Sequence, residues 1–135
     1  MSRLLAVMLF FSGPFFTSGT AVAQQLVMGG DAERGRLVFG PCRTCHYAEA
    51  YMGHNNGPNL HRIFGKVAGK QTGFDYYSDE FKAAQFVWTP ELMFVWLEDP
   101  MGMFPGSSMM SLGVPDPQAR ADLITYLEQA SVREP

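Results

Sequence analysis

Cysteine is scarce in this chain: Cys42 and Cys45 are the only two among 135 residues, so once they are engaged nothing remains for a structural disulfide. Runs of β-branched residues that would read as strands are missing. That removes the βαβ setting in which a Cys-x-x-Cys pair normally serves thiol–disulfide exchange. Long apolar runs are missing too: Leu4 to Phe16 is interrupted by Ser12-Gly13-Pro14, falls short of the roughly 20 residues that span a bilayer, and has no successor. Positive charge is in deficit, 10 Lys and Arg against 13 Asp and Glu. From Glu91 onward, Glu91, Glu98, Asp99, Asp116, Asp122, Glu128 and Glu134 face only Arg120 and Arg133, which argues against nucleic acid and anionic lipid as partners. There is no internal repeat or low-complexity tract.

What is present centres on Cys42-Arg43-Thr44-Cys45-His46. Two thiols and an imidazole at this spacing are the pattern that fastens a c-type haem. Each thiol adds across one vinyl group of the porphyrin, and the adjacent histidine lies beneath the iron as an axial ligand. A zinc site is the rival reading, with His54 and His61 as further ligands, but their distance from the cysteines does not match a usual finger.

The first residues read as an export signal. Arg3 is followed by the apolar run and by Ala21-Val22-Ala23, a small-x-small cleavage site. Residues 1–23 are therefore expected to leave, with cleavage after Ala23, and 24–135 to form one small periplasmic domain. Bacterial c-type haem is attached on that side of the membrane. A domain this small approaches the size where side chains alone make a marginal core, and a buried porphyrin would supply apolar contact.

Helix signals are clear in three places. Asp31 to Phe39 starts with acids in its first turn and stops at Gly40-Pro41. Between His46 and Trp88 the chain reads as folded loops, with at most a short helix near Ser78 to Ala84. Thr89-Pro90 caps a helix expected to continue to Asp99, and Asp116-Pro117 opens one with an apolar stripe through Ala121, Leu123, Ile124, Leu127 and Ala130. Met101 to Pro115 has no period and is expected to be an extended strap. Within it, Pro105-Gly106 makes a tight turn able to aim a following methionine at the sixth iron position, with Met109 and Met110 both in reach. A thioether there raises the reduction potential.

From Gly30 to about Gln129 the chain resembles the class I cytochromes c, in the branch containing mitochondrial cytochrome c and its soluble bacterial relatives. The resemblance is carried by Gly-Asp-Ala-Glu-Arg-Gly, Cys-Arg-Thr-Cys-His, Gly-Pro-Asn-Leu-His-Arg-Ile-Phe-Gly, the region of Trp88, Pro-Gly-Ser-Ser-Met and Arg-Ala-Asp-Leu-Ile-Thr-Tyr-Leu. It implies an all-α fold in which crossed N- and C-terminal helices, a middle helix and long loops surround one covalent haem c. It implies that Cys42 and Cys45 hold the haem, that His46 and Met109 ligate iron, and that Met110 does not. Pro58 is then expected to accept a hydrogen bond from His46, and Tyr76 and Trp88 to donate to a haem propionate. Gly35, Phe39, Leu123 and Tyr126 match the helix crossing, and His54 and His61 match histidines without iron contact.

Some positions depart from that pattern. Lys66 stands where arginine is common, Trp96 replaces a pocket tyrosine, and Met101-Gly102-Met103 stands where the mitochondrial form carries lysines. The expected function is a low-spin, monohaem, one-electron carrier rather than an enzyme. As a monomer it would dock transiently with periplasmic or membrane-bound redox proteins of respiratory or photosynthetic type. The alternatives are a dedicated haem subunit or docking partner of one redox enzyme, and a gas sensor or peroxidase-like protein with an open iron position.

Overall fold

The computed structural model describes residues 29–132. The expected signal segment and its cleavage site after Ala23 lie outside the described residues. Five α-helices are present among them: α1 (Ala32–Val38), α2 (Asp79–Ala83), α3 (Pro90–Trp96), α4 (Pro100–Met103) and α5 (Pro117–Ala130). Two 3₁₀ turns, Gly40–Thr44 and Ala50–Met52, complete the regular structure.

Side-chain caps set most helix starts. Asp31 accepts from the Arg34 N–H at 2.8 Å, Thr89 from Leu92 at 3.2 Å, and Asp116 from Ala119 at 2.7 Å, each satisfying a donor that the first turn leaves open. Pro90 and Pro117 occupy the position where a missing N–H costs nothing. A proline sits at two helix ends, of which one falls as the sequence led us to expect and one does not. As expected, α1 stops before Gly40-Pro41; the chain then tightens into the 3₁₀ turn, which carries Cys42 directly off Phe39. The middle helix ends at Trp96 rather than Asp99, because Asp99-Pro100 begins a new one: Asp99 accepts from the Gly102 N–H at 2.9 Å. The strap from Met101 is therefore helical for its first turn and extended only afterwards.

The crossing of α1 with α5 frames the molecule. A methyl group at Gly35 would collide with the Asp122 carbonyl, and one at Gly30 with the Ala121 carbonyl, so both glycines let the backbones approach. Phe39 packs on Tyr126 with ring centroids 5.3 Å apart, and Phe39, Leu123 and Ile124 are fully buried beneath them. Asp122, also buried, fastens the crossing. It accepts from the Asp31 N–H at 2.7 Å, from Arg34 Nε and Nη2 at 2.7 and 2.9 Å, and from Gln118 at 3.0 Å.

The long segment between His46 and Trp88 is held by individual bonds rather than a sheet. Val67 and Val87 form an isolated antiparallel bridge, flanked by Ala68 N–H to the Phe86 carbonyl and Trp88 N–H to the Lys66 carbonyl, both 2.9 Å. Asn59 is a buried hub. Its Nδ2 donates to the Glu49 and Gly53 carbonyls at 2.8 Å each, and its Oδ1 accepts from the His61 N–H at 2.7 Å. No helix among the described residues is long and apolar enough to cross a membrane.

Candidate functional site

The 3₁₀ turn after α1 places both thiols and the imidazole in one tight loop. Cys45 N–H and His46 N–H both donate to the Cys42 carbonyl, at 3.1 and 2.8 Å. Both cysteines are free and half-buried. Burial pushes the Cys42 thiol above its ordinary range, against an opposing backbone hydrogen bond.

His46 is oriented from behind. Its Nδ1 lies 2.7 Å from the Pro58 carbonyl. A carbonyl only accepts, so Nδ1 carries the proton and Nε2 is the ring's unprotonated nitrogen. Gly57 closes the clamp: its N–H bonds the Cys45 carbonyl at 2.8 Å, and a methyl group there would enter the His46 ring. Burial lowers the imidazole's affinity for a second proton, while the Pro58 bond acts in the opposite direction. A neutral imidazole with one lone pair available is the form that ligates a metal.

The strap distinguishes its two adjacent methionines. Met109 is half-buried against the core and Met110 is 85 % exposed. The Met109 N–H bonds Ser107 Oγ at 3.1 Å. Behind the strap lies a wall of aromatics. Phe104 stacks on Phe81 at 5.3 Å, and Trp96 meets Phe81, Phe104 and Trp88 edge-on at 5.4, 5.4 and 5.7 Å. Trp88 and Trp96 are both buried.

The two adjacent tyrosines take opposite sides. Tyr76 is 81 % exposed, its ring edge-on to Phe74 at 5.8 Å. Tyr77 turns inward between Phe74 (4.9 Å) and Phe81 (6.3 Å), and burial pushes its phenol up against a backbone hydrogen bond at Gln71. Of the two, Tyr77 faces inward and Tyr76 faces solvent. A local signal for this was available, since the residue just before a helix N-cap, here Ser78, commonly packs back on the first turn. The Ser78 hydroxyl is itself buried without a hydrogen-bond partner.

The histidines outside the motif are occupied elsewhere. His54 lies 3.0 Å from the Thr72 carbonyl through Nε2 and accepts the Asn59 N–H at Nδ1, also 3.0 Å, which spends both ring nitrogens on the loop. That removes His54 as a zinc ligand. Lys66 donates to the His61 carbonyl at 2.7 Å, and burial, followed by the nearby charge of Arg62, lowers its pKa.

Free thiols in the attachment turn, an imidazole with its metal-binding nitrogen unprotonated, an inward thioether and an orphaned hydroxyl fit a covalent haem and its propionates. A helical shell around that set defines the class I cytochrome c fold. No protein-family model matches the chain, but individual proteins do. Cytochrome c of Chlamydomonas reinhardtii is 42 % identical over 103 residues, 76 % of this chain and 91 % of that protein. Cytochrome c of Ginkgo biloba is 36 % identical over 106 residues, 78 % and 93 % of the two chains. The solved structure of cytochrome cH from Methylobacterium extorquens superposes with a TM-score of 0.68 at 34 % identity, covering 74 % of this chain and 99 % of the other. The chain belongs to the cytochrome c family. It is an electron-transfer protein rather than an enzyme, and its cofactor is one covalent haem c.

Proposed function

We propose that this protein is an exported periplasmic carrier. It takes one electron from a periplasmic or membrane-bound donor and passes it to an acceptor, with Cys42 and Cys45 as thioether anchors and His46 and Met109 as axial ligands. The observations that carry the ligand assignment are the setting of each group: His46 is proton-locked on Pro58, and Met109 packs on the core while Met110 faces solvent. When bound, the haem supplies the one-electron couple. The chain's own residues do the rest. Pro58 and Gly57 fix the imidazole's orientation, so the ligand moves little between oxidation states, and the aromatic wall of Phe81, Trp88, Trp96 and Phe104 excludes water. Trp88, Tyr77 and Ser78 are assigned to the propionate side, with Tyr77 in the role that the family resemblance gave to Tyr76. Export is supported by the charged and apolar start of the chain and its Ala21-Val22-Ala23 motif.

Spectroelectrochemical titration of the purified holoprotein tests this. A single one-electron wave is expected, with a ferrous form that takes up carbon monoxide slowly at neutral pH. Rapid carbon monoxide uptake would mean an open iron position and would revive the sensor reading. A second reading, a dedicated subunit of one redox enzyme, is favoured by the exposure of Met101 (39 %), Met110 (85 %) and Leu112 (91 %) on the strap side. Co-purification with a single enzyme at high salt would select it.

A further inference from the structure

Arg120 and Asp122 are two residues apart on α5, so their side chains leave the helix on nearly opposite faces. Asp122 serves the crossing with α1. Arg120, 4 % exposed, serves the strap. Its Nη1 donates to the carbonyls of Val114 and Pro115 at 2.9 Å each, its Nη2 reaches Glu98 at 3.2 Å, and its guanidinium lies 4.4 Å from the Phe94 ring centroid. A buried guanidinium is costly unless its donors are used, and here two of its bonds end on strap carbonyls.

The strap is pinned at two places. Near its start, Phe104 stacks on Phe81 and the Gly106 N–H bonds Glu80 at 3.0 Å. At its end, the Val114 N–H bonds the Leu97 carbonyl at 2.6 Å and Arg120 grips the next two carbonyls. Gly113, with φ +79°, lies so close to the Glu98 carbonyl that a side chain there would collide. Between the pins, Met110 and Leu112 are exposed, and the Met109 N–H bonds a serine of the same strap. Met109 itself packs against the core, but its backbone N–H is bonded only within the strap, so the hydrogen bonds tying this stretch to the rest of the protein lie at its two ends.

We propose that Arg120 is a positioning residue for Met109. By holding the end of the strap against α3 and α5, it keeps the thioether turned inward and the sixth iron position closed to outside ligands. This rests on the reading of Met109 as the ligand. Without the guanidinium, that end is held only by the Val114–Leu97 bond and the packing of Val114 on the core, and a larger fraction of molecules has the strap lifted. An external ligand that binds only the lifted form gains apparent affinity in proportion to that fraction.

Imidazole binding to the ferric holoprotein, followed by loss of the far-red thioether-to-iron band, reads that fraction. Arg120→Met, which keeps bulk and removes every donor, is expected to bind imidazole about tenfold more tightly than the unaltered protein. Arg120→Lys, able to reach one carbonyl but not to fork across two, should fall between them and is the informative variant if Arg120→Met does not fold. Asp122→Asn, which weakens the same helix on its other face, should leave imidazole affinity unchanged. Unaltered affinity in the Arg120 variants would overturn the inference, and so would an equal gain in Asp122→Asn, which would mean general loosening. A ferric wild type with no far-red band would remove the Met109 reading itself, and this inference with it.

Discussion

Ferric Met109→Ala holoprotein is expected to lose the far-red thioether-to-iron band, while Met110→Ala retains it. The two residues are neighbours of identical chemistry, so composition and reach do not separate them. Placement does: Met109 packs on the core and Met110 is 85 % exposed. Loss of the thioether removes the ligand that favours reduced iron, so the potential of Met109→Ala should fall by on the order of 0.1 V, part of the roughly 0.8 V range that axial ligands command. Its ferrous form should also bind carbon monoxide quickly. Met110→Ala removes an exposed side chain and should change stability by less than about 0.5 kcal/mol. A band lost with Met110 and kept without Met109 would reverse the ligand assignment.

The second large effect is expected at the helix crossing. A methyl group at Gly35 meets the Asp122 backbone rather than a flexible side chain, so relief requires α1 and α5 to move apart. Overpacking of this kind costs about 1–3 kcal/mol. In a domain of this size that corresponds to a thermal midpoint lower by on the order of 10 °C, measurable by calorimetry of the holoprotein. The same crossing has an acid limit. The Arg34 hydrogen bonds, joined by the Asp31 N–H and Gln118 and opposed by burial, hold the Asp122 carboxyl down at about 2, against an ordinary 3.8. A carboxylate with a depressed folded pKa gives its full stabilisation above its unfolded pKa and loses it as pH falls toward the folded value. Stability should therefore drop between about pH 4 and pH 2. In Asp122→Asn that part of the slope should be absent, with a loss of about 1–3 kcal/mol at neutral pH from bonds left unmatched. An unchanged acid profile in Asp122→Asn would show that other carboxylates govern it.

Much of this was legible in the sequence because it is local. The attachment motif is five consecutive residues, and the Asp-x and Thr-Pro caps announce their helices within one turn. Long-range partners were not legible. Asp122 reads as one more acid in an acidic C-terminal half, and nothing near it in sequence shows that it closes on Arg34 and the Asp31 N–H. Arg120 likewise reads as a surface base, yet it is buried between Glu98, Phe94 and the strap. The inward turn of Tyr77 beside an exposed Tyr76 was not legible for a related reason. Two adjacent tyrosines in a loop carry no periodicity, and which one turns inward is set by where α2 starts. Asp99-Pro100 was read as a stop and is in fact also a start, since the same dipeptide ends α3 and caps α4.

Haem attachment is the claim on which the remainder depends. Extraction of the purified protein with acidified acetone, followed by intact-mass measurement, tests it directly. The account predicts a polypeptide that stays coloured, heavier by one haem, with neither Cys42 nor Cys45 open to alkylation. A colourless chain of unmodified mass with both thiols alkylated would contradict it.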